Sequence, residues 1–184
     1  MNALLIGFYC LLMGCGPKGK KQIPPPPISK VYEACCGIEP VEYTVGNGKI
    51  FMPNVFTPNG DGLNDLFLPS FSPEIVQASG FILTNLDSNK VLFIRGDMNL
   101  TNPDGYGWDG LNPDGTEYEG QFLWEVYVLA KDGTSRLLKG KGCRIVCGPN
   151  AVVFVDKNGC YYSEQSNAGV LDPTIVTKEV ACFK

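Results

Sequence analysis

The residues of this chain whose types and spacing most readily do chemistry are eight cysteines and one oxygen-rich loop, in a sequence without histidine. The loop reads Thr57-Pro58-Asn59-Gly60-Asp61-Gly62-Leu63-Asn64-Asp65. Aligned on a calcium-binding loop, Asn59 falls at position 3, Asp61 at 5, Gly62 at 6, the Leu63 carbonyl at 7 and Asp65 at 9. Position 1 is only Thr57 and the acid expected at position 12 is Leu68, so tight binding needs Asp104 or Asp109 from elsewhere. Calcium is the one cofactor candidate, with the role of stiffening the loop. The alternative, which the composition favours, is a turn whose Asn59, Asp61 and Asn64 bond backbone amides while Gly60 and Gly62 take positive φ. Tyr106, Trp108 and Asp109, together with Asp61, are the contact set for a sugar if Trp108 is an exposed stacking platform. Trp108 reads more readily as a core anchor. Catalysis is not expected. Without histidine there is no Ser-His or Cys-His pair, no Gly-rich phosphate loop precedes a helix, and turn chemistry explains the carboxylates Asp61 and Asp109.

The first fifteen residues carry no charged side chain, and the apolar run Ala3 to Met13 has the length of a signal-peptide core. It is shorter than the roughly 20 residues a membrane-spanning helix needs. Leu12-Met13-Gly14-Cys15 then resembles a bacterial lipobox, which makes residues 1–14 a lipoprotein signal and Cys15 the acylated N-terminus. With Cys10 lost and Cys15 lipidated, six cysteines remain: Cys35, Cys36, Cys143, Cys147, Cys160 and Cys182. An even number in an exported chain predicts up to three disulfides, and the rival reading is a metal site from Cys35-Cys36 and Cys143-x3-Cys147. The expected pairing joins Cys160 to Cys182 and leaves Cys35 and Cys36 for Cys143 and Cys147.

Residues 15–30 form a Pro/Lys-rich tether with four consecutive prolines, extended at about 3.1 Å per residue. Its four lysines stand without an acid and carry +4, so residues 31–184 carry −8 to give the net −4. A body of that sign repels phosphate, so no nucleic-acid partner is expected. The basic stretch is either an aid to binding anionic headgroups or a plain soluble linker.

From Val31 on, short Val/Ile/Phe/Tyr runs alternate with Asn-Gly and Asp-Gly turns, the mark of an all-β domain. The clearest strand is Gln121 to Ala130, with Phe122, Trp124, Val126 and Val128 on one face. Other expected strands are Val41 to Val45, Lys49 to Met52, Gly80 to Leu86, Lys90 to Ile94, Ser135 to Lys139 and Ala151 to Val155. Turns are expected at Asn47-Gly48 and Asp132-Gly133.

Pro53-Asn54-Val55-Phe56-Thr57-Pro58-Asn59-Gly60-Asp61-Gly62-Leu63-Asn64-Asp65, followed by Trp108-Asp109-Gly110 and the Gly120 to Val128 strand, resembles the gliding motility-associated C-terminal domain of Bacteroidetes. That family is also described as the type B sorting domain of type IX secretion. The resemblance covers about residues 50–146 and implies an immunoglobulin-like β-sandwich of about seven strands. It departs at Asn85 to Val91, which has neither the family's Arg nor its Trp. The expected organisation is a sandwich over residues 31–146 and a disulfide-linked, Cys-containing extension over 147–184. The expected function is a non-catalytic, lipid-anchored module of the outer membrane. Its partner would be a cell-envelope protein of the gliding or type IX secretion machinery, and delivery would follow the lipoprotein route rather than a sorting signal. A calcium-assisted carbohydrate-binding surface lipoprotein is the alternative.

Overall fold

The computed structural model describes residues 27–37, 41–102, 104–155 and 157–183, so the expected leader, Cys15 and most of the tether lie outside the described residues. The described chain is β-rich: six strands of four residues or more, four of two residues, and short 3-10 turns in place of any α-helix. The expected central strand is β7 (Gly120–Ala130). Its alternation works as read: Phe122, Trp124, Val126 and Val128 are buried, while Leu123, Glu125, Tyr127 and Leu129 face outward and are partly or fully exposed. A turn at Asp132-Gly133 returns the chain into β8 (Ser135–Arg144), paired without interruption from Leu129↔Ser135 to Gly120↔Arg144. Against the other side of β7 lies β5 (Ile75–Asn85), and beyond it β6 (Val91–Asp97). The short β3 (Val55–Phe56) runs parallel to β8 and completes a five-stranded sheet ordered β3-β8-β7-β5-β6.

A second sheet joins β1 (Glu42–Val45), β2 (Gly48–Phe51) and β4 (Ser70–Phe71). The turn between its first two strands is Gly46-Asn47 rather than the expected Asn47-Gly48. The shift has a cause: Gly46 sits at φ +55°, a region glycine enters without steric cost, and the Asp132 carboxylate of the neighbouring hairpin accepts from the Asn47 amide at 3.1 Å. One apolar core joins the two sheets, with Val45, Ile50 and Met52 from one and Phe81, Leu83, Phe122, Trp124 and Val126 from the other. Its densest part is aromatic: Phe122 lies edge-on to Phe67 at 4.7 Å and to Trp108 at 4.9 Å between ring centroids. Rings of that size fit only because β8 presents glycines beneath them. A Cβ on Gly140 would stand 2.5 Å from the Trp124 ring, and one on Gly142 2.5 Å from Phe122.

A second, smaller core forms on the other side of β8. Cys143 alternates with Gly142 and therefore faces away from the first core, yet it is fully buried. The N-terminal segment around the 3-10 turn Lys30–Tyr32 crosses it, bringing Tyr32 edge-on to Phe154 at 5.5 Å and Ala34 O to Gln121 Nε2 at 2.6 Å. Tyr32 donates its hydroxyl to Glu119 at 2.7 Å and accepts from the Val146 amide at 2.8 Å. From the chain's other end come Ala151 and Phe154. The strand expected over Ala151 to Val155 is instead a 3-10 turn, Pro149–Phe154. Pro149 opens it with its fixed φ, and the two buried side chains are three residues apart, which is the 3-10 repeat and not the two-residue repeat of a strand.

Three disulfides close this region: Cys35 with Cys143, Cys36 with Cys160, and Cys147 with Cys182. The expected Cys160–Cys182 bond is thus replaced. Cys35 bonds the sheet at Cys143 and Cys36 the extension at Cys160, so the adjacent pair takes partners from two regions. With all six sulfurs in disulfides, the alternative cysteine metal site does not form. Nor is the stretch 147–184 an appendage. Asn54 receives the Tyr161 amide and donates to Gly159 O, both at 2.7 Å. The β9-β10 hairpin (Ser166–Asn167, Val170–Leu171) bonds Ser70 and Glu42 of the second sheet.

Gly142→Ala is expected to cost about 1–3 kcal/mol by overpacking against Phe122 and Phe67. Gly96→Ala, with open space at its Cβ, should cost much less. Urea unfolding of the two variants checks the difference.

Candidate functional site

The oxygen-rich loop between β3 and Phe67 is shaped by its own side chains. Asp65 reaches back across the turn: its Oδ1 accepts from the amides of Asn59 at 2.8 Å and Gly60 at 2.7 Å, and its Oδ2 from that of Gly62 at 2.7 Å. Asn59 Oδ1 accepts from the Asp61 amide and Asp61 Oδ1 from the Leu63 amide, at 3.0 and 2.9 Å. Gly60 and Gly62 take φ of +79° and +88°, and Asn64 +52°, which turn successive amides inward.

Three N–H groups converging on one carboxylate make an anion-binding nest whose anion is the chain's own Asp65. A cation beside Asp65 would face the positive ends of those amide dipoles. The side-chain oxygens of Asn59, Asp61 and Asp65 already accept hydrogen bonds. Asn59, Asp61 and Asp65, three of the four residues of the expected calcium set with the Leu63 carbonyl, are drawn together here as acceptors for the loop's own amides. No cluster of three or more acids, cysteines or histidines able to hold a metal occurs among the described residues.

A residue that local sequence reading missed completes the loop from beneath. Glu179, 1% exposed, accepts from Thr57 Oγ1 at 2.8 Å, from Asn59 Nδ2 at 3.0 Å and from the Cys182 amide at 3.2 Å. Asn59 Nδ2 also approaches Asp61 Oδ2 at 3.2 Å, so one amide group bridges two acids. Burial pushes the Glu179 carboxyl above the usual glutamate range and the Asp61 charge pushes the same way, against the pull of Thr57, the Cys182 amide and Asn59. Nothing in Thr177-Lys178-Glu179-Val180 marks this acid. What places it under the loop is the Cys147–Cys182 bond, three residues further on.

The Trp-Asp-Gly element serves the same end of the fold. Trp108 and Phe67 exchange backbone hydrogen bonds at 2.8 and 3.1 Å, which ties the far side of the loop to this element. Trp108 is 1% exposed and donates its Nε1 to Leu111 O at 2.8 Å. It is a core residue, and the sugar-platform reading is corrected. Asp109 caps the following turn by accepting from the Leu111 amide, and Tyr106 is half-buried against the first core. Gly110, at φ +83°, lies against the guanidinium of Arg144. Arg144 is itself buried, donating to Tyr118 O at 2.6 Å and pairing with Glu117 at 3.3 Å. Tyr106, Trp108 and Asp109 therefore do not assemble into a contact surface.

Beside the loop the surface opens into a cleft of about 540 Å³, lined by Asn64, Asp65, Leu68, Phe71 and Leu100, with Ser163 contributed by the extension. Loop, cleft and Glu179 join residues singled out in the sequence to the extension. What this arrangement does chemically is hold a turn rigid, through the side-chain bonds of Asp65, Asn59, Asp61 and Glu179.

The pH dependence follows from the signs. A carboxyl raised in the folded state favours folding below the ordinary glutamate range, and that contribution is lost as pH rises through the folded value. Glu179→Gln keeps the acceptor for Asn59 and the Cys182 amide while Thr57 turns its hydroxyl to accept. It should therefore be at least as stable as the wild type at pH 7, and the difference should shrink as pH falls toward 5, read by urea unfolding at each pH. Asp65→Ala should instead destabilise by about 1–2 kcal/mol, by freeing three amides. Compared with models of known protein families and with curated proteins, the chain matches none.

Proposed function

We propose that this chain is a non-catalytic interaction module of the bacterial cell envelope, exported, acylated at Cys15 and held off the outer membrane by the Pro/Lys-rich tether. The body is read as an immunoglobulin-like sandwich, which its resemblance to the gliding motility-associated C-terminal domain implies. The partner class is a protein of the gliding or type IX secretion apparatus. The observation that carries the reading is the joining of all six cysteines into three bonds spanning 108, 124 and 35 residues. Bonds of that reach persist in oxidising compartments outside the cytoplasm. The two that start at Cys35 and Cys36 fasten the body a few residues after the tether, where a membrane anchor would apply its load. No helix among the described residues is long and apolar enough to cross a membrane. The attachment in this reading is the lipid on Cys15.

Expression in a Bacteroidetes host with Cys15→Ala should abolish the diacylglycerol mass on the N-terminal peptide and move the protein from the membrane to the soluble fraction. An unmodified, intact leader on wild-type protein overturns the assignment. Pull-down of the lipidated wild type is expected to recover secretion-apparatus proteins with or without a chelator.

A further inference from the structure

We infer that Asn99 is the acceptor of an N-linked oligosaccharide, transferred from a polyprenyl-diphosphate carrier. Such a modification rests on the export proposed above, because these donors are used on the outer side of the cytoplasmic membrane. Of the chain's asparagines only Asn99 is followed two residues on by a serine or threonine, and the residue between is Leu100, not proline.

The loop that follows β6 holds this triplet open. Met98 is buried, with its amide on Ala78 O at 2.9 Å, and Leu100 packs against the first core. Asn99 and Thr101 alternate with them and are exposed, as is Asp97 at the end of β6. Asn99 Oδ1 accepts from the Thr101 amide at 3.0 Å and from the Thr101 hydroxyl at 2.7 Å, while Asn99 Nδ2 has no partner among the described residues. The hydroxyl draws electron density toward Oδ1, which makes a proton on Nδ2 easier to lose.

The same turn recurs with an acid in place of the amide: Asp114 accepts from Thr116, and Asp172 from Thr174, in the same two bonds. A carboxylate is the stronger acceptor, so the turn by itself does not call for asparagine at position 99. What asparagine adds is a nitrogen. Two residues ahead of those aspartates stand Asn112 and Val170, but ahead of Asn99 stands Asp97. Asp97 forms no salt bridge among the described residues and receives only Gln77 Nε2 at 3.4 Å, so it offers a charge to a basic side chain of the transferase.

In the transfer, Nδ2 bonds to the anomeric carbon as the bond from that carbon to the carrier's phosphate oxygen breaks. The oxygen keeps the electron pair, polyprenyl diphosphate leaves, and one Nδ2 proton passes to a base of the transferase. Leu100 lines the cleft described above, so the sugar stands at its rim.

The test incubates the full chain, purified without glycan, with a bacterial oligosaccharyltransferase and a polyprenyl-diphosphate-linked oligosaccharide, and weighs the peptides. One glycan on the Asn99 peptide is expected. Asn99→Asp keeps the turn, as Asp114 and Asp172 do, and should lose the glycan with an unchanged urea midpoint. Thr101→Val should cut transfer at least about tenfold, and Asp97→Asn should weaken it. A bare Asn99 on folded wild type, a glycan on another asparagine instead, or equal transfer to Thr101→Val overturns the inference. In protein from the native envelope one digest reads both assignments. Acylated Cys15 with bare Asn99 overturns the glycan alone, a glycan with unmodified Cys15 overturns the lipid alone, and two bare peptides overturn both.

Discussion

The far side of β8 has to be covered at its Cys143 end, and the rest of the architecture depends on how that is done. Nearer the hairpin that face stays open, with Leu137, Lys139 and Lys141 exposed, but at Cys143 a second layer is made from the two ends of the described chain instead of another sheet. Nine buried residues form that core and three of them are disulfide cysteines, so it is too small to persist on apolar burial alone. On the chain-entropy view, closing a loop of about 100 residues restricts the unfolded chain by roughly 4–5 kcal/mol, more than any side chain in this core contributes. The sulfur bonds thus hold in place the two segments that cover Cys143 and Ile145. The extension, once fastened there, is carried to the loop on the other end of β3.

That coupling gives the oxygen-rich loop its form. Asp65, Asn59 and Asp61 satisfy the loop's own amides, and such a turn would stand alone on an exposed surface. Glu179 makes it part of the body, since its carboxylate bonds Thr57 at the loop's start and Asn59 within it. Burying an acid there carries a desolvation cost, offset by three donors and by the disulfide that fixes its backbone. The same Asp-x-Thr economy recurs in the exposed turns at Asp114, Asp132 and Asp172. There the following threonine's hydroxyl or amide holds each carboxyl below the usual range, so those turns weaken as acid protonates them.

The sequence made legible what depends on neighbours along the chain. Alternation in residues 121–130 fixed which face of β7 is buried, and Asp132-Gly133 located the hairpin, because both are local signals. Trp108 as a core anchor followed from its bulk. What failed were readings that need distant partners. The disulfide scheme could not be chosen among fifteen pairings. An apolar run after Pro149 looks alike as strand or 3-10 turn until its burial spacing is known. The calcium pattern matched ligand types, but only geometry shows that the amides turn inward and claim the oxygens. Two-residue strands such as β3 and β9 exist through pairing alone and leave no pattern to read.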